Sequence, residues 1–327
     1  MRPFNPGWID PFLARSDAFP RPRWKEIDAF LAERAPESEW PSLYDSAARE
    51  WAVATCAALG DGYETSESRE FLFVSPFAKP VFEARHAFAE RCRRRILEEL
   101  LPGIARVWGF GKHVAFVFRD VETYYSYVAP FYPEPGAFAA SAGMFLGAWS
   151  AEHPHGYGHF VLRAGDLKQL DHALAHELVH NLLASLPLPL WLDEGLATSL
   201  DAQLAHGPPL VVRREDLDEH RATWGAGGIQ EFWSGRAWEH PDDRNRLAYQ
   251  LAQMAVRALA KEYASFRAFV LRAHREDGGE HAAREVYGRS LGELVGQMLG
   301  PGEWAPEPRV WSAEDARAPE SAPVAPG

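Results

Sequence analysis

The run LAHELVHNLLASLPLPLWLDEGLATSL, Leu174 to Leu200, sets two histidines and two glutamates among leucines and alanines. Burying ionisable groups costs free energy unless partners hold them. A metal ion is the partner this arrangement invites. His176-Glu177-Leu178-Val179-His180 places its histidines four apart. On a helix they share one face with Cβ atoms about 5–6 Å apart, so both imidazoles can reach one zinc ion at about 2.0–2.1 Å. Glu177, one residue on from His176, leaves the helix axis about 100° away and can reach a water instead. Leu170, Leu174, Leu178 and Leu182 form an apolar stripe, and no Gly or Pro interrupts the pattern before Pro187.

Glu194, in WLDEGLA, supplies a third ligand. Pro187 and Pro189 force the chain out of the first helix, and Asp193 suits the start of a second that returns antiparallel to it. His176, His180 and Glu194, with a water in the fourth position, make an open site of the catalytic kind; structural zinc sites are more often closed by four protein ligands. His172 lies on the same face, but three imidazoles at i, i+4 and i+8 span about 12 Å of helix and cannot all reach one ion. His153, His155 and His159, in EHPHGYGH, read as a solvated loop cluster.

Composition bounds the rest. A chain of 327 residues that is 46% hydrophobic has ample material for a core. Its net charge of −12 argues against non-specific nucleic-acid binding, which needs basic surfaces. The basic run Arg91–Arg95 has Glu90, Glu98 and Glu99 around it and reads as an ion-paired helix face. Cys56 and Cys92 suit two reduced thiols. No apolar stretch approaches the ~20 residues that span a bilayer, and no secretory leader is visible, so a soluble, cytoplasmic protein is expected.

The patterning predicts a helix over 41–59, a strand over 70–76, a helix over 80–101, and strands over 113–120 and 157–165. Residues 124–154, rich in Gly, Pro and aromatics, read as a long loop or flap. Helical patterns dominate from Asp166 to about residue 299. Three segments follow: residues 1–69, extended or helical, with the first forty wrapping the surface; a domain over 70–300; and a mobile Pro/Ala/Glu-biased tail over 301–327. Strands followed by helices predict an α+β fold, a small β-sheet with a helical active-site half.

The motifs ALAHELVH and WLDEGLA, followed by LAYQLAQMAVRAL and EVYGRSLGELVGQML, resemble the gluzincin metallopeptidases, thermolysin-like in site chemistry and most similar to the compact peptidase-MA-like group. The resemblance covers roughly residues 110–300 and implies a zincin-like catalytic domain. It also implies one Zn2+ on His176, His180 and Glu194, and a peptide or protein substrate. Glu177 would be the general base and then acid. Tyr249, in LAYQLAQ, stands where the family commonly has a tyrosine that stabilises the oxyanion; Arg246 is a weaker candidate. By analogy with the fold, GHFVLRAG before the zinc helix would be an edge strand to which an extended peptide adds, and the aromatic segment Tyr124–Tyr157 would cover the cleft.

The chain departs from the family where an acidic residue would stand one turn after the glutamate ligand; here that place is Thr198, and Asp193 or Asp171 would have to orient the ligands instead. The leading expectation is a zinc peptidase, more an endopeptidase than an exopeptidase, because no exopeptidase strand of the G-x-M-x-N type is present. Two alternatives are a latent, zinc-stabilised peptide-binding or regulatory module, and a zinc hydrolase of a non-peptide amide. The intact Glu177 argues against the first of these.

Overall fold

The computed structural model describes residues 5–15, 18–107, 109–131, 142–150, 153–225, 227–240 and 242–311. The fold is α+β, with one five-stranded mixed sheet, one two-stranded sheet and many helices. The chain divides into two compact units. Among the described residues, the first holds those up to Arg94 together with Val107–Asn181, and the second holds Arg95–Arg106 and those from Leu182 on.

The first unit begins with a short antiparallel pair, β1 (Leu13–Ala14) and β2 (Arg21–Pro22), then α1 (Trp24–Arg34) and α2 (Trp40–Leu59). There follow β3 (Glu64–Glu67), β4 (Phe71–Ser75), α3 (Lys79–Arg95), β5 (His113–Phe118), α4 (Val121–Val128), β6 (Gly143–Ser150), β7 (His153–Arg163) and α5 (Leu167–Leu183). The large sheet has the order β3-β4-β5-β7-β6; β4, β5 and β7 are parallel, and the two outer strands run antiparallel to their neighbours. Every residue of β4 and β5 is buried, as expected of parallel strands covered on both faces.

On one face Leu72, Val74, Val114, Phe116 and Phe118 pack with α1, α2 and α4. On the other, Phe73 meets His86 of α3 edge-on, and β6 lies against α5. The predicted helix 41–59 forms with Pro41 in its first turn and stops at Gly60, whose φ of +80° suits glycine.

Several expectations need correction. The first forty residues do not merely wrap the surface. Ile9, Ile27 and Leu31 are fully buried and belong to the same core as the sheet, because Trp24, Ile27 and Leu31 fall at i, i+3 and i+7 and give α1 an apolar face. The stretch 124–154 is not one long loop: α4 starts at Asp120, whose carboxylate accepts from Thr123 N–H at 2.8 Å, and β6 pairs with β7; residues 132–141 lie outside the described ones. GHFVLRAG is not an edge. Strand β7 lies between β5 and β6, and β6 takes the edge. The His153–His159 segment is strand, not loop. His159 is buried with Nε2 2.8 Å from Tyr127 Oη, and the side chains of His153 and His155 lie outside the described ones.

The second unit is helical: α6 (Leu190–Leu204), α7 (Arg214–Trp224), α8 (Ile229–Ser234), α9 (Asp243–Leu259), α10 (Tyr263–Val270), α11 (Glu280–Tyr287) and α12 (Leu291–Leu299). In EVYGRSLGEL, Gly288 ends α11 at a φ of +66°, and Ser290 and Glu293 cap α12 reciprocally, at 3.0 and 2.6 Å. The tail does not come loose at 301. Trp304 is buried, its carbonyl accepts from Trp233 Nε1 at 2.8 Å, and Gln230 Nε2 donates to Ala305 at 2.8 Å. A large aromatic offsets the polar composition that made this stretch read as mobile. Among the described residues no helix is long and apolar enough to cross a membrane, and Cys56 and Cys92 form no disulfide.

Candidate metal centre

Helix α5 presents three kinds of face. Leu170, Leu174, Leu178 and Leu182 are buried, as their spacing predicts, and Ala175, Val179 and Leu183 widen that stripe. His172, His176 and His180 lie half-buried along a second line. The third line holds Ala173, Glu177 and Asn181, and its first two residues lie beside β6.

The ligand atoms of His176, His180 and Glu194 all lie within 4.8 Å of one another, and among the described residues no other group of three His, Cys, Asp or Glu side chains comes together in this way. The two Nε2 atoms are 3.0 Å apart. Two nitrogens about 2.0–2.1 Å from one tetrahedral ion would stand roughly 3.3–3.4 Å apart, so both rings are already aimed at nearly the right point. Two imidazole nitrogens and one carboxylate oxygen form a donor set that suits zinc. His172 is not part of the cluster.

Glu177 stands apart from the ligands. It is 8% exposed, and its Oε2 accepts a hydrogen bond from the backbone N–H of Phe145, in β6, at 2.7 Å. Charge-assisted bonds of this length are among the stronger ones. Sequence reasoning missed this contact, since a main-chain amide carries no residue-type signal.

The helix bearing Glu194 is held by its packing in the second unit. A Cβ added at Gly195 would lie 2.9 Å from Ala252 O and 2.9 Å from Val256 Cγ2, so glycine lets the backbones of α6 and α9 come close. Asp193 falls in the first turn of α6, where a negative charge suits the helix dipole. Thr198 Oγ1 is buried and takes no hydrogen bond.

The other candidates are placed as follows. Tyr249 is half-buried on α9, its ring edge-on to Trp238 with centroids 5.9 Å apart. Arg246, exposed, is engaged by Glu219 at 2.5 Å and by Asp243 at 3.5 Å, which raise its pKa, Glu219 most; it is held in a surface ion pair. Asp171 meets Arg85 at 2.9 Å, and burial pushes its carboxyl up against the pull of that arginine.

The functional reading rests on this geometry and on the motif, because no protein-family model matches the chain and comparison with curated proteins finds no match.

Proposed function

We propose that the protein is a zinc-dependent peptidase with a zincin-like catalytic fold, its ion held by His176, His180 and Glu194. The observation that carries this reading is the convergence of those three ligand atoms within 4.8 Å, with Glu177 held one residue from the first of them. A zinc ion in such a site polarises a carbonyl and lowers the pKa of water toward neutrality.

The chain's own residues account for the rest. Glu177 accepts a proton as the water oxygen adds to the scissile carbonyl carbon. It then delivers that proton to the amide nitrogen as the C–N bond breaks, leaving a carboxylic acid, which keeps the water's other proton, and an amine. Tyr249 is assigned as the hydrogen-bond donor to the oxyanion. An extended peptide or protein substrate would add along the β6 edge clear of Phe145, whose N–H is engaged by Glu177.

The test pairs two measurements on purified protein: metal content by mass spectrometry, and cleavage of a mixed peptide library by the parent and by Glu177→Gln. One zinc in both proteins, with cleavage by the parent alone, supports the reading. One zinc in both with cleavage by neither would leave a latent zinc-stabilised module or a hydrolase of some other amide. Absence of zinc from both would remove the basis of the proposal.

A further inference from the structure

The contact between β6 and α5 has a register. At one step, Gly143 of β6 lies so close to α5 that a Cβ added there would be 3.3 Å from Ala173 Cβ. At the next step, Phe145 N–H donates to Glu177 Oε2 at 2.7 Å. The strand advances two residues while the helix advances four, so one outward-facing strand position meets each helical turn. Phe145 stands opposite Phe160 of β7 in the ladder, yet its N–H meets Glu177, on the side away from β7. Close approach at Gly143 and the hydrogen bond at Phe145 are therefore parts of one arrangement: the small residue lets the helix come near enough for the carboxylate to reach the strand edge.

We infer that the backbone amide of Phe145 is the positioning group for Glu177, fixing the rotation of its carboxylate for proton transfer. The inference rests on the peptidase reading for its consequence in rate, though not for the contact itself. A carboxylate held in this way is spared a search among rotamers at the moment of proton transfer; a misplacement of about 1 Å in such a group can cost 10²-fold in rate. Phe145 acts through Glu177, and touches no reacting atom.

Two measurements test it. Amide hydrogen exchange reads the contact directly: an outward N–H on an edge strand exchanges rapidly unless something accepts its hydrogen bond. Phe145 should be protected in the parent, and that protection should disappear in Glu177→Ala while the amides of β5 stay protected. Rapid exchange in the parent, or equal protection in both proteins, would overturn the inference, and neither result depends on finding a substrate.

The second measurement is kinetic. Phe145→Pro removes the N–H at an edge position, where proline is tolerated. Its kcat should fall about 10- to 100-fold with KM and zinc content kept. A rise in KM at unchanged kcat would assign the amide to substrate binding and overturn the positioning role. Phe145→Ala keeps the amide; if its kcat falls as far, the effect belongs to the phenyl ring and the inference also fails. A parent that binds zinc but cleaves nothing, with Phe145 protected only when Glu177 is present, would show that the peptidase reading had failed while the contact stood.

Discussion

The two edges of the large sheet solve the same problem in different ways. A strand with one side unpaired invites pairing with another chain unless it is blunted. At one edge, β3 is mostly exposed and is held by charges: Arg49 reaches both oxygens of Glu67, at 2.7 Å and 3.0 Å, and Lys112 Nζ adds a contact at 2.9 Å. At the other, Met144 and Leu146 of β6 are buried, and an outward N–H is taken by Glu177. The first device is spread over several solvated groups, so the loss of any one is small. The second rests on one carboxylate, which ties the order of the sheet edge to the group proposed to carry the proton. Each edge also has a histidine-bearing helix beside it: His86 of α3 bonds Ser66 of β3 at 2.9 Å, and α5 carries His176 and His180.

The largest contrast should come from those histidines. On the peptidase reading His180→Ala would remove a proposed ligand and with it the activation of water, so kcat/KM should fall on the order of 10⁴-fold, at least what a general base supplies, and zinc content should drop below one per chain. His86→Ala should cost about 1–2 kcal/mol in urea denaturation, from the lost hydrogen bond and burial, with zinc content and rate unchanged. Loss of zinc from the His86 variant would break the distinction between the edges.

Next in size is Gly143→Val. Its side chain would be forced against Leu162 and Ala173, with added Cβ contacts of 2.7 and 3.3 Å. Overpacking of this kind costs about 1–3 kcal/mol, measurable by denaturant titration, and moving β6 away from α5 should also remove the protection of the Phe145 amide. A variant that keeps both its stability and that protection would show that the close approach at Gly143 is dispensable.

Acid should separate the interior of the sheet from its charged edge. His113 and His159, on β5 and β7, are pushed down to about 3 by burial, with Arg93 and Arg21 respectively adding to the effect. Their folded values lie below the ordinary 6.5, so between pH 6.5 and 3 the unfolded chain binds more protons and stability falls as pH falls. The expected slope is up to about 1 kcal/mol per pH unit for each histidine. Replacing either by Phe or Gln should flatten it, as read from urea midpoints across that range.

Glu67 responds later, because its hydrogen bond with Arg49, with Lys112 adding to it, holds its carboxyl down to about 2. Its contribution is complete above about pH 4.5 and is lost as pH falls through about 2. Glu67→Gln should be the smallest effect, at most about 1 kcal/mol at neutral pH after solvent screening, and reduced further by salt. A larger or salt-independent loss would mean that the charged edge is less dispersed than it looks.

Much of the candidate metal cluster was legible in the sequence because its signals are local. Two histidines four apart on an apolar helix, and a glutamate after a proline-broken turn, can be read without knowing the fold. The sheet edge was not legible in the same way. GMFLGAWS has Gly143, Phe145 and Gly147 at the alternate positions where a half-buried strand would show polar residues, so the period of two is hidden. The helix VETYYSYV was lost among its aromatics although Asp120 and Thr123 mark its start. Trp304 anchors a stretch whose composition argues for disorder. Tertiary burial decided each of these, and a short window of sequence does not contain it.

The pairing of β6 with α5 also works as a vernier. Two residues of antiparallel strand advance about 6.8 Å, while four residues of helix advance about 6.0 Å. The steps therefore drift apart by roughly 0.8 Å each time, and a hydrogen bond tolerates little more than half an ångström of stretch. Matching at Gly143–Ala173 and Phe145–Glu177 uses up the coincidence, and the ladder with β7 loses its regular register soon after, between Ala148 and Ser150. A carboxylate moved one turn toward the C-terminus of this helix would thus find the next outward strand position out of step. Transplanting the motif to another scaffold would need the strand in phase as well as the helix.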